Sequence, residues 1–203
     1  MLRNTAAWTL GLYAALAVLV RIAPGNAVDR SVVGWVSDWD MGFLSSTMEW
    51  VSWFTDLRPR LVLAVVSVLL VVLIGRYRLA AVIVAAVAIT AVPINAFDLI
   101  GGVVAGRIRP NGAPFLAYPS GHTLGTVVQF GLSIYVVVRV GLPRRLLLPV
   151  AGVLAIPILL VGPARVITGA HWPSDIIGAY LLGIASLTGL VLVLEAGARR
   201  LQD

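Results

Sequence analysis

The sequence predicts an all-α fold: a bundle of six transmembrane helices with an interfacial helical segment between the first and second. Three observations point there. Hydrophobic residues make up 60% of the 203-residue chain and charged residues only 12%, against about 25% charged in an ordinary soluble domain. Mean hydropathy is +0.98. The apolar residues also fall in long runs, broken by short polar interruptions, and a bilayer needs roughly 20 residues of helix. No internal repeat, disordered tail or change of composition divides the chain, so residues 1–203 read as a single integral membrane domain.

The first run, Ala6 to Val20 with Ile22 and Ala23 beyond it, follows Arg3. It resembles a secretory signal but lacks a clean Ala-x-Ala site, and with so many spans behind it a retained helix is expected. Val28 to Arg60 differs in kind. Helically spaced apolar residues alternate with acidic ones, and four of the six tryptophans (Trp35, Trp39, Trp50, Trp53) lie here. Such a segment suits the headgroup plane, as an anchor for the bundle or as a rim guiding a lipid chain. Further spans are expected at Leu61–Ile74, Leu79–Val92 continuing towards Val104, Thr123–Val138, Leu146–Val161 and Ile176–Leu194. Pro93, Gly152, Pro157, Gly178 and Gly183 are tolerable inside membrane helices, and Pro93-Ile94-Asn95 is the expected bend.

Charge orients the bundle. All fifteen basic residues are arginine. With the N-terminus in the cytoplasm, Arg3, Arg76, Arg78, Arg139, Arg144, Arg145, Arg199 and Arg200 face inward beside only Glu195 and Asp203. The outer side holds seven arginines and the other seven acidic residues. Setting aside Arg107, Arg109 and Arg165 as functional, the positive-inside rule puts both termini in the cytoplasm. The net charge of +6 then reflects mainly the cytoplasmic face, and no nucleic-acid partner is expected. Cysteine is absent, which excludes disulfides, thiol nucleophiles and cysteine metal sites.

This topology gathers the polar interruptions on the outer side. They carry the only two histidines, His122 and His171. His171 and Asp175 are four residues apart, one helical turn if the helix has begun, as Pro173 at its first turn permits. The carboxylate would hold one imidazole nitrogen and leave the other free to act as a nucleophile, or the pair would simply cap the helix. Ser120 is a candidate N-cap, and the amides beyond it, with Gly121 allowing close approach, suit a phosphate. His122 is placed to act as general acid. Arg107, Arg109 and Arg165 carry donor forks suited to phosphoryl oxygens, or to headgroups.

These clusters resemble the three-part signature of the type 2 phosphatidic acid phosphatase family, the lipid phosphate phosphatases. The first part ends in Arg109-Pro110, the second is Pro119-Ser120-Gly121-His122, and the third runs from Arg165 through His171 to Asp175. The resemblance covers residues 102–175 and implies six helices with an outward site in a bacterial inner membrane. It implies that His171 attacks phosphorus to form a phosphohistidine, Asp175 orients it and His122 protonates the departing lipid oxygen. Arg109, Arg165, Ser120 and the Gly121 amide would hold the phosphoryl oxygens. No cofactor or metal is implied.

Two positions depart from the family pattern: Gly102 stands where a lysine is expected, and Ala164 where a serine is. Arg107 is the expected substitute for the lost cation. The expected substrate is a lipid phosphate or diphosphate, with polyprenyl diphosphate of cell-wall synthesis ahead of phosphatidylglycerol phosphate and phosphatidic acid. The alternatives are a phosphotransferase of the same family, or a transporter or structural membrane protein, for which Asp98 is the sole intramembrane acidic candidate. No oligomer is required for a compact bundle.

Overall fold

The computed structural model describes residues 2–38, 42–73, 75, 77, 84, 100, 103–113 and 117–200. Within these, seven helices follow one another: α1 (Leu2–Ile22), α2 (Ala27–Ser37), α3 (Gly42–Phe54), α4 (Leu57–Leu73), α5 (Gly121–Val140), α6 (Arg144–Ile167) and α7 (Pro173–Arg200). Four of them, α1, α5, α6 and α7, are long and apolar enough to cross a membrane. The expected span from Leu79 lies largely outside the described residues, as do Pro93, Asn95 and Asp98, so the count of six is left to four long helices and the shorter, apolar α4.

Helix α5 is the centre of the bundle. Ser120 caps its start by accepting the Thr123 amide, and Gly141, in the left-handed region at φ 82°, ends it. It packs against α4, α6 and α7, while α1 lies along α7. The core at the site end joins Tyr13, Ala17 and Val20 of α1 to Leu124 and Val128 of α5 and Leu182 of α7. A second cluster, Val71, Leu132, Val136 and Leu190, fills the other end. Most remaining large apolar side chains point outward, among them Leu12, Leu19, Leu148, Leu159 and Val193, as suits a surface solvated by hydrocarbon.

Two elements differ from expectation. The segment Val28–Arg60 resolves into α2, α3 and the first turn of α4, with Asn26 capping α2 through the Asp29 amide. Trp35, Trp50 and Trp53 remain exposed there. The fifth expected span continues past Val161 to Ile167, so Arg165 belongs to the last turn of α6 and not to a loop. Pro149, Pro157 and Pro163 all lie within that helix. Proline removes backbone donors, and the Tyr180 hydroxyl of α7 donates to the Ile158 carbonyl.

Candidate active site

Two helices begin and one ends where the polar segments meet: α5, α7 and α6 respectively. Backbone hydrogen bonds stitch the segments together. Ala117 N donates to Arg107 O at 3.1 Å, Asn111 N to Gly169 O at 3.2 Å, and Ser120 N to Asp175 O at 3.3 Å. The Trp172 indole N–H donates to Ile108 O at 2.9 Å.

His171 is buried and held at both ends. Its amide donates to the Arg165 carbonyl at 3.0 Å, and its Nδ1 lies 2.8 Å from the Ala117 carbonyl. A carbonyl only accepts, so Nδ1 carries the proton and Nε2 keeps its lone pair. Asp175 Oδ2 stands farther off, 3.5 Å from Nδ1. The expected one-turn contact is therefore amended: Ala117 takes the hydrogen bond and Asp175 supplies charge beside it. The reason is that α7 starts at Pro173, leaving His171 ahead of the helix. Asp175 Oδ2 accepts the Trp172 amide at 2.9 Å, the back-bond of a capping box. Burial pushes the His171 pKa below its ordinary 6.5; Asp175 opposes that, while Arg165 and Arg109 reinforce it.

Ser120 is fully buried, and its Oγ accepts from the Thr123 amide at 3.4 Å and from the Thr123 hydroxyl at 3.2 Å. Gly121 follows as the first residue of α5, where helix geometry leaves the amide without an intrahelical acceptor. His122 is half-exposed, with Nε2 3.6 Å from Asp56 Oδ1. It lies within electrostatic reach of Arg165, Arg60 and His171.

The arginines divide. Arg107, the expected substitute for the lost lysine, lies between two acidic side chains. Its guanidinium is buried and held by two carboxylates, Nη1 2.8 Å from Asp29 Oδ2 and Nη2 2.8 Å from Asp175 Oδ1. Nη2 also donates to Ser174 Oγ at 2.9 Å, and the guanidinium carbon sits 5.4 Å from the Trp172 ring centroid. Both Nη groups of Arg107 are thus paired within the protein. Arg165 bonds Ser52 Oγ through Nη1 at 3.3 Å, while its buried Nε has no hydrogen-bond partner among the described residues. Arg109 and Arg165 both act on His171 through their charge. Ala164, in place of serine, is fully buried; Gly102 lies outside the described residues.

Four participants escape the motif reading: Asp29, Asp56, Arg60 and the Ala117 carbonyl. Arg60 comes from α4 and lays its guanidinium against Gly125, where a Cβ would collide with Nη1. The only hint was Asn26-x-x-Asp29, which marks a helix start and says nothing of a distant arginine. Among α3, α5 and α6, an apolar groove of about 640 Å³ is lined by Trp50, Val51, Phe54, Phe130, Ile156 and Leu160, among others.

The PAP2 superfamily model matches residues 82–198, more than half of the sequence. The chain belongs to the PAP2 superfamily. Phosphatidylglycerophosphatase B of Bacillus subtilis (strain 168) is 32% identical over 88 residues. That match spans 38% of this chain and 41% of the relative, so the chain covers about two-fifths of that relative's length. The fold matches the crystal structure of a transmembrane PAP2-type phosphatidylglycerolphosphate phosphatase from Bacillus subtilis, with a TM-score of 0.80. Identity there is 17%, over 97% of this chain and 96% of that one. The PAP2 fold thus extends over nearly the whole chain, and the protein is a membrane protein.

Proposed function

We propose that the chain is a lipid phosphatase that cleaves a phosphomonoester at the outer membrane surface through a phosphohistidine on His171. The observation that carries this reading is the His171 imidazole, buried with Nδ1 committed to the Ala117 carbonyl at 2.8 Å. That leaves Nε2 as the nucleophilic nitrogen, near two arginine charges. Nε2 attacks phosphorus, the ester P–O bond breaks, and His122 gives its proton to the departing lipid oxygen. Water then attacks phosphorus, His122 takes its proton, the P–N bond breaks and phosphate leaves. Arg109, Arg165, the Gly121 amide and Ser120 surround the phosphoryl oxygens as preorganised donors.

Phosphatidylglycerol phosphate is the substrate we place first, ahead of polyprenyl diphosphate and phosphatidic acid, because the relative and the solved neighbour both carry that name. The apolar groove lined from α3 and α6, the helices that also carry Ser52 and Arg165, supports a substrate with a hydrocarbon tail. The arginine asymmetry supports an outward site with both termini in the cytoplasm.

The test is inorganic phosphate release by purified protein in detergent from these three lipids, with EDTA present and His171→Ala alongside. Release from phosphatidylglycerol phosphate that vanishes in His171→Ala is expected. Equal release by the variant would overturn the nucleophile assignment. Loss of lipid phosphate without free phosphate would indicate transfer to another acceptor.

A further inference from the structure

We propose that Asp29 is a positioning residue of this site: it balances Arg107 so that the Asp175 carboxylate stays available to His171. The inference rests on the reading of His171 as the nucleophile. Asp29 lies on α2, outside all three motifs, yet it is 1% exposed and fully engaged. Its Oδ2 accepts from Ser174 Oγ at 2.6 Å, Arg107 Nη1 at 2.8 Å and Asn26 Nδ2 at 3.0 Å. Its Oδ1 accepts the Ser174 amide at 2.9 Å. The contact of Arg107 with Asp175 is looser in kind. The two are 2.8 Å apart, but off the hydrogen-bond direction, so Asp175 Oδ1 is charge-paired without accepting a hydrogen bond.

The charges in this dry cluster decide what Asp29 does. Two carboxylates share one guanidinium, leaving one negative charge over, and the oxygen that carries it towards the imidazole is the buried Asp175 Oδ2, 3.5 Å away. Buried charges are tolerated only when paired. Without Asp29, Arg107 would have Asp175 as its sole counter-ion among the described residues, and the surplus would vanish. Phosphorylation of Nε2 with Nδ1 still protonated makes the ring cationic, so this surplus is what the intermediate requires. Among the described residues, the other charged groups acting on His171 are Arg165 and Arg109, and His122 lies within electrostatic reach of it; none of these offers a negative charge.

The chain has only two histidines, so ¹⁵N-imidazole titration by NMR in micelles, without substrate, resolves each. In Asp29→Asn the His171 pKa is expected to fall by about half a unit or more while His122 holds. The double variant Asp29→Asn, Arg107→Gln restores one surplus negative charge, and the His171 titration should return towards wild type. Ser174→Ala, which removes hydrogen bonds but no charge, should leave it in place. An unmoved titration in Asp29→Asn, no return in the double variant, or an equal shift in Ser174→Ala would each overturn the proposal. Should Asp29→Asn not fold, a folded double variant with a near-wild-type titration supports charge balance, and misfolding of both assigns Asp29 to packing alone. In turnover, Asp29→Asn should lose about tenfold in kcat with KM within about twofold. Failure of the phosphatase reading would appear differently, as no lipid turned over by the wild type while the titrations still shift.

Discussion

At the scale of single residues, the site separates charges that act on substrate from charges that hold the frame. We propose that Arg107 belongs to the frame. Arg107→Met leaves Asp29 and Asp175 buried without their cation, and breaking such a pair costs about 3–5 kcal/mol. A large drop in the thermal midpoint in detergent is therefore expected. Arg109→Ala should instead raise KM on the order of tenfold with the midpoint little changed. A variant of Arg107 that keeps its stability and loses only phosphate affinity would return it to the phosphate-binding role. Protonation gives a second check. Attack requires neutral His171, and burial holds its pKa below 6.5, so the neutral form persists as pH falls through 6.5. The acid limb of kcat/KM, corrected for the ester's own ionisation, should have its midpoint below that value; a midpoint at or above it would contradict the buried imidazole. The motif residues were legible from the sequence because their chemistry is local: Ser120 caps the helix it precedes, and Asp175 caps the helix it sits in. The pairing of Arg107 was not legible, because its type and neighbourhood are those of a phosphate ligand. Only the tertiary approach of Asp29, 78 residues away, distinguishes the two roles.

Helices bring their own constraints. Periodicity and apolar length located α1, α4, α5, α6 and α7, with α6 and α7 each ending six residues beyond the expected span, since each must present a continuous apolar surface to lipid. The partition of Val28–Arg60 into α2 and α3 was hidden, because an interfacial helix alternates polar and apolar residues without a long run. Arg60 against Gly125 shows how two elements act as a unit. A methyl at Gly125 would meet the Arg60 guanidinium, which must then leave the neighbourhood of His122. Gly125→Ala and Arg60→Ala should each lower kcat/KM by about tenfold, and the double variant should be no worse than either alone, a coupling of about 1.4 kcal/mol. Losses that multiply in the double variant would mean that the glycine is needed for something other than Arg60.

For the whole molecule, the expectation is an orientation. No native cysteine interferes, so single cysteines report sidedness cleanly. Asp38→Cys should react with an impermeant maleimide on intact cells lacking an outer barrier, and Arg145→Cys only after permeabilisation; both positions are exposed. The reverse pattern would invert the bundle and put the site in the cytoplasm.

Part of what closes the site runs from backbone to backbone: Ala117 to Arg107, Asn111 to Gly169, Ser120 to Asp175. A peptide group has no allele. Mutation can exchange the side chains mounted on this chassis while the chassis itself, written in main-chain atoms, is inherited unchanged. Such a cradle is free to explore new leaving groups and new acceptors, because trying one does not require dismantling the place where the trial is made.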